Sequence, residues 1–417
     1  MKFENWGRYP KCLNERGFVL NSELPKSKNL LAVGLGRSYG DVCLNSRGAY
    51  IYTVHRDCIL EFNPNELTVT VQAGISLQKL LIFLLKKGYF LPVVPGTQFV
   101  TVGGAIANDI HGKSHHIHGS FGNNVLEITL LRSHGEVIVL RPSDDLFRAT
   151  VGGIGLTGVI TVAKLKIIEV AGSLIKQKVI VENDLVNLVG ALSHNSKAYS
   201  YTVAWLDLLS KRLRGVVICG DFFDGVFDPK FRTTSYPGNI NVVNRLTARL
   251  LNFSYFWAHK IKEGESVVDY RKFFFPLDSI LNWNKAYGLS GFMQWQGVFP
   301  REVEIVKEII SVIRKFSGLP TLAVLKDFGE IQPVGIMSFP KEGFTLAIDF
   351  PVTSTNLKTV DALNDFLTKA GGRVYLAKDS RLKSKQFWLM YPQVEEFMMY
   401  KDENFKSDMW ARLVEID

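Results

Sequence analysis

The sequence predicts an α+β protein with at least two domains, the second built on a large antiparallel sheet that helices cover on one face. A chain of 417 residues, 47% of them hydrophobic, is long enough to form two cores. Residues 29–170 alternate short β-like runs with glycine turns, whereas from about residue 175 the runs lengthen and alternate with helical stretches. This change in the pattern of predicted strands and helices indicates a domain boundary.

The first part is predicted to contain more strands than helices. Its β-like runs are NLLAVGLG, AYIYTV, LTVTVQAG, VLEITLL, EVIVL and VITVAKLKII. A helix is expected over residues 76–87, because Ser76 can serve as its N-cap and Gly88 as its C′ residue. A second helix is expected over residues 143–150, where a serine and two aspartates suit a helix start.

The second part is predicted to form the large antiparallel sheet. The runs SYTVAWLDLL, RGVVICGDFF, GFMQWQGVFP and FTLAIDFP alternate apolar and polar residues, as a sheet with one covered face requires. Helices are expected over residues 303–316 and 356–368. Residues 221–268 are irregular and aromatic, which is typical of a lid or a disordered loop over a binding site.

The net charge and the composition limit the class of binding partner and the cellular compartment. A net charge of +9 and a pI near 9.2 favour an anionic partner: nucleic acid, a phosphorylated metabolite or an acidic membrane surface. Four cysteines without metal-type spacing indicate a reducing compartment. The N-terminus lacks the apolar region of a signal peptide, and the apolar run at residues 80–85 is too short to span a bilayer. We expect a cytoplasmic protein, with contact at the periphery of the inner membrane left open.

Residues 94–125, VPGTQFVTVGGAIANDIHGKSHHIHGSFGNNV, are predicted to be a cofactor-contacting loop rather than a structural element. Gly103 and Gly104 allow the backbone to approach a flat ligand. Four histidines in eight residues suggest a metal site, but Gly112 disfavours a helix that would align His111 with His115. Since no glutamate or cysteine completes a ligand set nearby, no metal is expected.

Two glycine motifs invite a nucleotide-binding interpretation. Residues 153–158, GIGLTG, match G-x-G-x-x-G, but a strand-like run follows them instead of a helix, so we reject a Rossmann fingerprint. Residues 34–41, GLGRSYGD, follow the strand-like LLAV and can form a nest of backbone N–H groups for a pyrophosphate. A plain hairpin turn is the alternative, and the local residues leave both open.

Taken in order, several motifs resemble those of one flavoprotein family. GLGRSYGD, VPGTQFVTVGGAIANDIHGKSHHIHGSFG, LFRATVGGIGLTGVI, QWQ, VLKDFG and RVYLAKDSR are similar to motifs of the decaprenylphosphoryl-β-D-ribose 2-oxidase family, which belongs to the vanillyl-alcohol-oxidase or PCMH-type flavoproteins. The resemblance covers nearly the whole chain. It implies a two-subdomain FAD-binding domain at residues 1–170, a substrate domain at 171–370 and a C-terminal segment, 371–417, that returns to the FAD domain.

The resemblance also implies which residues hold FAD. The GLGRSYGD loop would bind the pyrophosphate, residues 96–111 would lie along the ribityl chain and flavin, and residues 153–160 would pass the adenine end. The FAD-binding residues expected on this basis are Gly34, Leu35, Gly36, Arg37, Ser38, Tyr39, Gly40, Asp41, Gly96, Thr97, Thr101, Val102, Gly103, Gly104, Asn108, Asp109, Ile110, His111, Gly155, Gly158, Val159, Ile160 and Tyr375. Some flavoproteins of this superfamily attach FAD through a histidine in the first loop. Arg37 stands there, so noncovalent FAD is expected.

By the same resemblance, the reaction is hydride transfer from a secondary carbinol of a sugar to flavin N5. Lys378 and His111 are the expected catalytic residues, and either of them, or a water that they hold, would take the hydroxyl proton. Gln296, Lys326, Phe328 and Lys378 are the expected substrate-binding residues, with Lys326 able to pair with a phosphate. Ala347 departs from the family pattern, in which the mycobacterial enzyme has a reactive cysteine at this position.

These roles imply oxidation of the 2-hydroxyl of a polyprenyl-phosphate-linked pentose or related sugar in surface polysaccharide synthesis. The product would be a keto-sugar, the first half of an epimerisation that an NAD(P)H-dependent short-chain reductase completes. An aldonolactone or alditol oxidase that uses oxygen is the alternative within the fold. A noncatalytic anion-binding protein would be colourless, and the chain lacks the aromatic and basic stripe of a nucleic-acid binder.

Overall fold

The computed structural model describes residues 3–20, 24–226 and 233–414, and three sheets carry most of its architecture. The strands of these residues are, in chain order, β1 (Gly17–Val19), β2 (Leu30–Val33), β3 (Ala49–Tyr52), β4 (Ile59–Asn63), β5 (Thr68–Gln72), β6 (Tyr89–Phe90), β7 (Val125–Leu131), β8 (Val137–Leu140), β9 (Val159–Lys166), β10 (Ile168–Glu169), β11 (Leu174–Glu182), β12 (Tyr201–Leu206), β13 (Gly215–Phe223), β14 (Thr234–Ser235), β15 (Gly264–Asp269), β16 (Ile280–Leu281), β17 (Phe292–Phe299), β18 (Leu322–Phe328), β19 (Gly343–Pro351) and β20 (Arg373–Val374).

Helices connect these strands and cover their faces. The α-helices of the described residues are α1 (Leu77–Leu85), α2 (Val102–Ala107), α3 (His115–His118), α4 (Asp145–Thr150), α5 (Leu185–Asn195), α6 (Arg245–Ile261), α7 (Tyr270–Phe274), α8 (Val303–Lys315), α9 (Ser354–Lys369), α10 (Ser384–Met390), α11 (Val394–Met398) and α12 (Asp408–Leu413). Short 3₁₀ helices lie at Asp41–Cys43, Gly122–Asn124, Pro276–Ser279 and Trp283–Tyr287.

Two sheets form the first part. Strands β1, β3 and β2 make a parallel sheet, and β4, β5, β9, β7 and β8 make an antiparallel one in that order. Because β2 and β3 run parallel, the loop at residues 34–41 between them is not a hairpin turn. The strand predicted after the 153–158 glycines is confirmed as β9, so the rejection of a Rossmann fingerprint stands.

The second part is an eight-stranded antiparallel sheet in the order β15, β11, β13, β12, β18, β19, β17, β20. Apolar residues of α5, α8 and α9 pack on one face, and Trp295 Nε1 donates to Asn364 Oδ1 beneath α9. Side chains alternate between the faces of a strand, so neighbours of the buried apolar positions point the other way. The predicted α+β class, with a helix-covered antiparallel sheet, is confirmed.

Three local predictions fare differently. Helix α1 begins after Ser76, whose side chain accepts from Lys79 N, and Gly88 with φ +83° follows shortly after its end. Residues 94–125 are not simply a loop, because α2 and the one-turn α3 lie within them. Residues 221–268 are not an irregular lid throughout, since α6 and most of β15 fall there, although positions 227–232 lie outside the described residues.

The C-terminal segment contacts the first part of the chain. Arg412 in α12 donates to both carboxylate oxygens of Asp41 and to Asp379 Oδ2, at 2.7 to 2.8 Å. Leu30 N donates to Asn404 O, which extends the parallel sheet toward the same segment. These contacts agree with a segment that returns, while the domain limits at 170 and 370 stay predictions.

Candidate active site

A cavity of about 1190 Å³ lies between the first part of the chain and the face of the eight-stranded sheet opposite α5, α8 and α9. Most of the residues predicted to hold FAD line it. They are Gly34, Leu35, Gly36, Arg37, Ser38, Tyr39, Gly96, Thr97, Thr101, Gly103, Gly104, Asn108, Ile110, His111, Gly155, Gly158, Ile160 and Tyr375. Four motifs far apart in sequence therefore meet around one space.

The loop after β2 forms one wall of the cavity. Gly36 has φ +64°, a conformation that glycine adopts without strain. The Arg37 guanidinium stacks 3.9 Å from the Trp6 ring centroid, and burial lowers its pKa. Tyr39 N donates to Ala377 O at 2.9 Å, so this loop is joined directly to the segment that carries Lys378.

The start of α2 forms a second wall. Thr101 is its N-cap, and the Thr101 side chain accepts from Gly104 N at 3.2 Å. Gly103 and Gly104 occupy the first turn, where a Cβ on Gly103 would lie 3.2 Å from Ala73 O and one on Gly104 would lie 3.0 Å from Thr101 Oγ1. A Cβ built on Gly96 would meet no atom within 4 Å, so this glycine borders open space that a ligand can fill.

Three half-buried lysines, Lys326, Lys378 and Lys113, line the cavity. Burial lowers the pKa of Lys326 to about 8, and burial together with the Lys326 charge lowers that of Lys113 to about 7. Burial and Lys326 also lower the pKa of Lys378, against a raising effect of Asp349. Since the Lys326 charge disfavours the charged forms of Lys113 and Lys378, and burial disfavours that of Lys326, an anionic ligand would stabilise all three cations.

Asp349 is the buried carboxylate among these cations. It is 1% exposed, and burial raises its pKa, although a hydrogen bond from Gln294 Nε2 and the charge of Lys378 oppose that rise. Gln294 and Asp349 face each other in the register of β17 and β19. The Lys378 ammonium lies 5.3 Å from the Tyr39 ring centroid. Lys378 and Asp349, whose charges act on each other's pKa in opposite directions, therefore both lie at the cavity wall.

His111 is held in a dry aromatic environment. Its ring lies 4.9 Å from Phe328 and 5.1 Å from Tyr375, measured between centroids. Burial, followed by the charges of Lys326 and Lys378, holds the His111 pKa well below its usual value. His111 is therefore neutral at physiological pH and can offer one donor and one acceptor.

The residues present fit FAD. Cavity-lining polar atoms that are buried without a hydrogen-bond partner are Arg37 Nε, Asn108 Oδ1, His111 Nδ1, Gln294 Oε1 and Asp349 Oδ2. Buried polar atoms in folded proteins are almost always satisfied, so these atoms indicate a polar ligand. Open space beside Gly96 and the close backbone at α2 suit a flat, phosphate-bearing group.

Several predicted residues contact the protein instead of the cavity. Asp41 pairs with Arg412, while Asp109 accepts from Gly122 N and Ser338 Oγ. Val102 and Val159 are fully buried in the apolar cores. The Gly40 carbonyl accepts from Asn5, and its Cα has no room for a side chain beside Asp379 O. Direct cofactor contact by the side chains of Asp41, Val102, Asp109 and Val159 is thus not what the structure shows.

Two of the predicted substrate-binding residues lie behind His111. Gln296 is 1% exposed and hydrogen-bonds His111 and Thr345. Phe328 is fully buried and packs on His111 and His115. In this structure both hold His111 in place, whereas Lys326 and Lys378 line the cavity as expected.

The remaining histidines have separate environments. His115 is buried and stacks 4.1 Å from the Phe328 centroid, and His116 Nε2 lies 2.9 Å from Tyr199 O. Among the described residues no group of three His, Cys, Asp or Glu side chains could hold a metal ion.

Sequence reasoning missed Gln294, Asp349 and Lys113 as cavity residues. The signal was present in the strands, because the polar residues of QWQ and the aspartate of LAIDFP interrupt otherwise apolar runs with period two. Lys113 lies within the histidine-rich run of residues 94–125; its ammonium donates to Phe273 O and lies 4.3 Å from the Phe273 ring centroid.

Comparisons with known proteins agree with this site. Residues 24–141 match the family described as FAD binding domain. Decaprenylphosphoryl-beta-D-ribose oxidase of Mycolicibacterium smegmatis is 36% identical over 416 residues, covering 93% of this chain and 89% of that protein. An uncharacterized Streptomyces coelicolor protein is 30% identical over 81% of this chain and 100% of its own. D-arabinono-1,4-lactone oxidase of Kluyveromyces lactis is 27% identical over only 40% of this chain and 34% of its own.

The fold, the cavity and these matches define an FAD-dependent oxidoreductase of the PCMH type. Within that class, the chain belongs to the decaprenylphosphoryl-β-D-ribose oxidase family. The expected flavoprotein fold, FAD cofactor and oxidoreductase activity are confirmed. In the part of the chain that the structure describes, no helix has the length and apolar character needed to cross a membrane.

Proposed function

We propose that this enzyme oxidises a secondary hydroxyl, at C2, of a polyprenyl-phosphate-linked pentose or related sugar to a keto-sugar. The observation that carries the proposal is the set of three half-buried lysines, Lys113, Lys326 and Lys378, around one cavity. The full-length similarity to an enzyme named for a prenylphosphoryl ribose agrees with it. A sugar linked through phosphate brings the negative charge that this set of cations lacks.

The cofactor supplies a two-electron acceptor when it is bound. Its phosphates would lie against the loop at residues 34–39, where backbone N–H groups and Arg37 are available. Its isoalloxazine would be held between α2 and the segment that carries Tyr375 and Lys378. Tyr375 OH donates to Asn108 O at 2.8 Å, which keeps these two walls together.

Lys378 is the best candidate to accept the proton of the substrate hydroxyl. Burial and Lys326 lower its pKa, so that part of the population carries a neutral amine near neutral pH. His111 suits a different role, because protonation would add a further charge beside Lys326 and Lys378. We assign to His111 the role of orienting the substrate by hydrogen bonding. We assign to Asp349 the role of accepting a proton from Lys378.

The reaction is then the first half of an epimerisation. Keto-sugar products require reduction at the same carbon, and we propose an NAD(P)H-dependent short-chain reductase as the partner that performs it. A prenyl-linked sugar belongs to the synthesis of a cell-wall or surface polysaccharide. It also resides in a membrane, so we propose a cytoplasmic protein that associates with the membrane periphery.

An oxygen-dependent aldonolactone oxidase is the second candidate. The shared FAD-binding fold and the partial similarity to D-arabinono-1,4-lactone oxidases favour it. That similarity spans only 40% of the chain, which weakens the case for a shared substrate.

Anaerobic mixing separates the two functions. Purified, FAD-loaded enzyme is mixed without oxygen with a short-chain prenylphosphoryl pentose, the free pentose or an aldonolactone, and loss of the visible flavin absorbance is followed. The proposal expects rapid bleaching by the prenylphosphoryl sugar alone. Faster bleaching by the lactone would replace it with the second candidate.

A further inference from the structure

Helix α6 carries a row of large apolar side chains that face solvent. Leu246, Leu250, Phe253, Trp257 and Ile261 follow one another at intervals of three or four residues, which places them on one side of the helix. They are 67%, 57%, 53%, 46% and 83% exposed, respectively. We name this set the outer stripe. A contiguous exposed row of this kind marks an interaction surface.

The opposite side of α6 is firmly packed. Ala248, Asn252 and Phe256, four residues apart, are buried against the eight-stranded sheet, where Phe256 joins a cluster with Trp205 and Val216. Asn252 Nδ2 donates to Asp207 Oδ1 at 2.9 Å. The helix also begins with a capping box at Asn244. The outer stripe is therefore presented by an anchored helix with a defined orientation.

A third side of α6 borders the cavity. Leu251, Tyr255 and His259 line it, and the Tyr255 ring packs 4.6 Å from that of Trp205. Helix α6 therefore separates the active-site cavity from the solvent that the outer stripe faces.

Positive charge predominates along α6. From Asn244 to Lys262 the sequence contains four lysines and arginines and no aspartate or glutamate, and Glu263, which follows, pairs with Lys260 at 2.7 Å. Arg249 and Lys260 lie on the helix near the outer stripe, and both are exposed. Two more exposed apolar residues, Ile240 and Val242, precede the helix. An apolar row with flanking cations is the pattern of a helix that lies in the interface of an anionic bilayer.

We infer that α6 docks the enzyme on an anionic lipid surface, with the outer stripe among the acyl chains and Arg249 and Lys260 at the headgroups. A second copy of this chain fits less well, because a two-fold contact along the stripe would bring the same cations together. The inference deepens the proposed function and rests on it in one respect: a prenyl-linked substrate would pass from the bilayer beside Leu251 and Tyr255 into the cavity.

Vesicle flotation tests the docking. FAD-loaded enzyme is floated with phosphatidylcholine vesicles that contain or lack phosphatidylglycerol. The wild type is expected to float with the anionic vesicles and to be released by salt. Phe253→Glu/Trp257→Glu should lose at least about tenfold in vesicle partitioning, since two apolar side chains leave the bilayer. Leu389→Glu is the matched control, because Leu389 is 63% exposed on α10, and it should float as the wild type does.

Fluorescence quenching reports the depth of the helix. Brominated lipids should quench the wild type, and Trp257→Phe should remove the largest part of that quenching. Unchanged flotation of the double variant would overturn the inference. A wild type that remains in the dense fraction, separate from the anionic vesicles, would overturn it as well. If light scattering gave a smaller particle mass for the double variant than for the wild type, the outer stripe would be a contact between two copies of this chain instead.

The same proteins keep this inference separate from the proposed function. Phe253 and Trp257 do not line the cavity, so flavin reduction by a short-chain, water-soluble substrate should be unchanged in the double variant. Loss of flotation with normal reduction supports docking, whereas absent reduction in the wild type bears on the proposed function alone.

Discussion

The side-chain amide of Gln296 donates to the imidazole Nε2 of His111 at 2.8 Å. With Nε2 as acceptor, the neutral ring carries its proton on Nδ1, an atom that is buried without a partner. The adjacent Thr345 hydroxyl also accepts from Gln296, which fixes the orientation of the amide. His111 is thus prepared to donate a hydrogen bond to a ligand.

Replacing Gln296 should slow the reaction without loss of FAD. In Gln296→Met the His111 ring loses the donor that sets its tautomer, and we expect flavin reduction to fall about tenfold, the worth of one buried hydrogen bond. Anaerobic stopped-flow measures the rate, and fluorescence titration measures FAD affinity. Gln332→Met, at an exposed glutamine, serves as control. A normal reduction rate in Gln296→Met would contradict the assignment.

The rate of flavin reduction should rise with pH and level off well below the ordinary lysine pKa of 10.5. Burial lowers the folded-state pKa of Lys378, so its neutral, proton-accepting form grows as pH increases through that lowered value. Lys378→Gln should bind FAD, abolish most reduction and lose this pH dependence. An identical pH profile in Lys378→Gln would remove Lys378 from proton transfer.

Filling the space beside Gly96 should prevent FAD binding without unfolding the protein. A valine there would project into the cavity, where a Cβ meets no protein atom within 4 Å. We expect Gly96→Val to purify with little flavin and to retain the unfolding midpoint of the cofactor-free wild type. Gly190→Val is the control, because its Cβ also meets open space but lies on α5, away from the cavity. Full flavin content in Gly96→Val would count against the cofactor site described here.

Removal of Arg412 should destabilise the protein strongly. Arg412→Met would leave the buried carboxylates of Asp41 and Asp379 without their shared cation, at a cost of about 3 kcal/mol in the free energy of unfolding. Arg141→Met breaks an exposed pair with Glu127 and should cost less than about 1 kcal/mol. Denaturant unfolding compares the two. Equal changes in the free energy of unfolding would show that the buried Arg412 cluster stabilises the protein no more than an exposed ion pair does.

FAD should be released when the protein is denatured by acid. Arg37 occupies the loop position at which covalently linked relatives are expected to carry histidine, and a guanidinium forms no such bond with the flavin. After acid precipitation, the yellow colour should appear in the supernatant. Colour retained in the pellet would demonstrate a covalent bond.

The sequence was sufficient for the fold class because its patterns are local. Period-two alternation located β12, β13, β17 and β19 but not β18, and Ser76 located the start of α1. The same logic failed at α6, since a helix with apolar residues on two sides does not show the single stripe of a core helix. It also failed at α2, where glycines with low helix propensity are held by the Thr101 cap and by burial.

The sequence motifs predicted which segments line the cavity, but not which of their side chains face it. Residues such as Asp41 and Asp109 stand inside cofactor motifs, yet their carboxylates satisfy Arg412 and Ser338. Gln294 and Asp349 reach the cavity only because β17 and β19 pair in one register. Such pairing depends on the whole sheet, and no short stretch of sequence specifies it.

The Asp41–Arg412 contact joins residues 371 positions apart in the chain. Contacts of such separation close the largest loops and form late, because their entropic cost must be met before they contribute. The loop at residues 34–41 and the segment that carries Lys378 meet through this closure and through the hydrogen bond from Tyr39 N to Ala377 O. We therefore expect the cofactor cavity of a nascent chain to stay open until its C-terminal segment has been synthesised. Flavin capture becomes a concluding step of folding, and cellular FAD supply would govern the yield of mature enzyme.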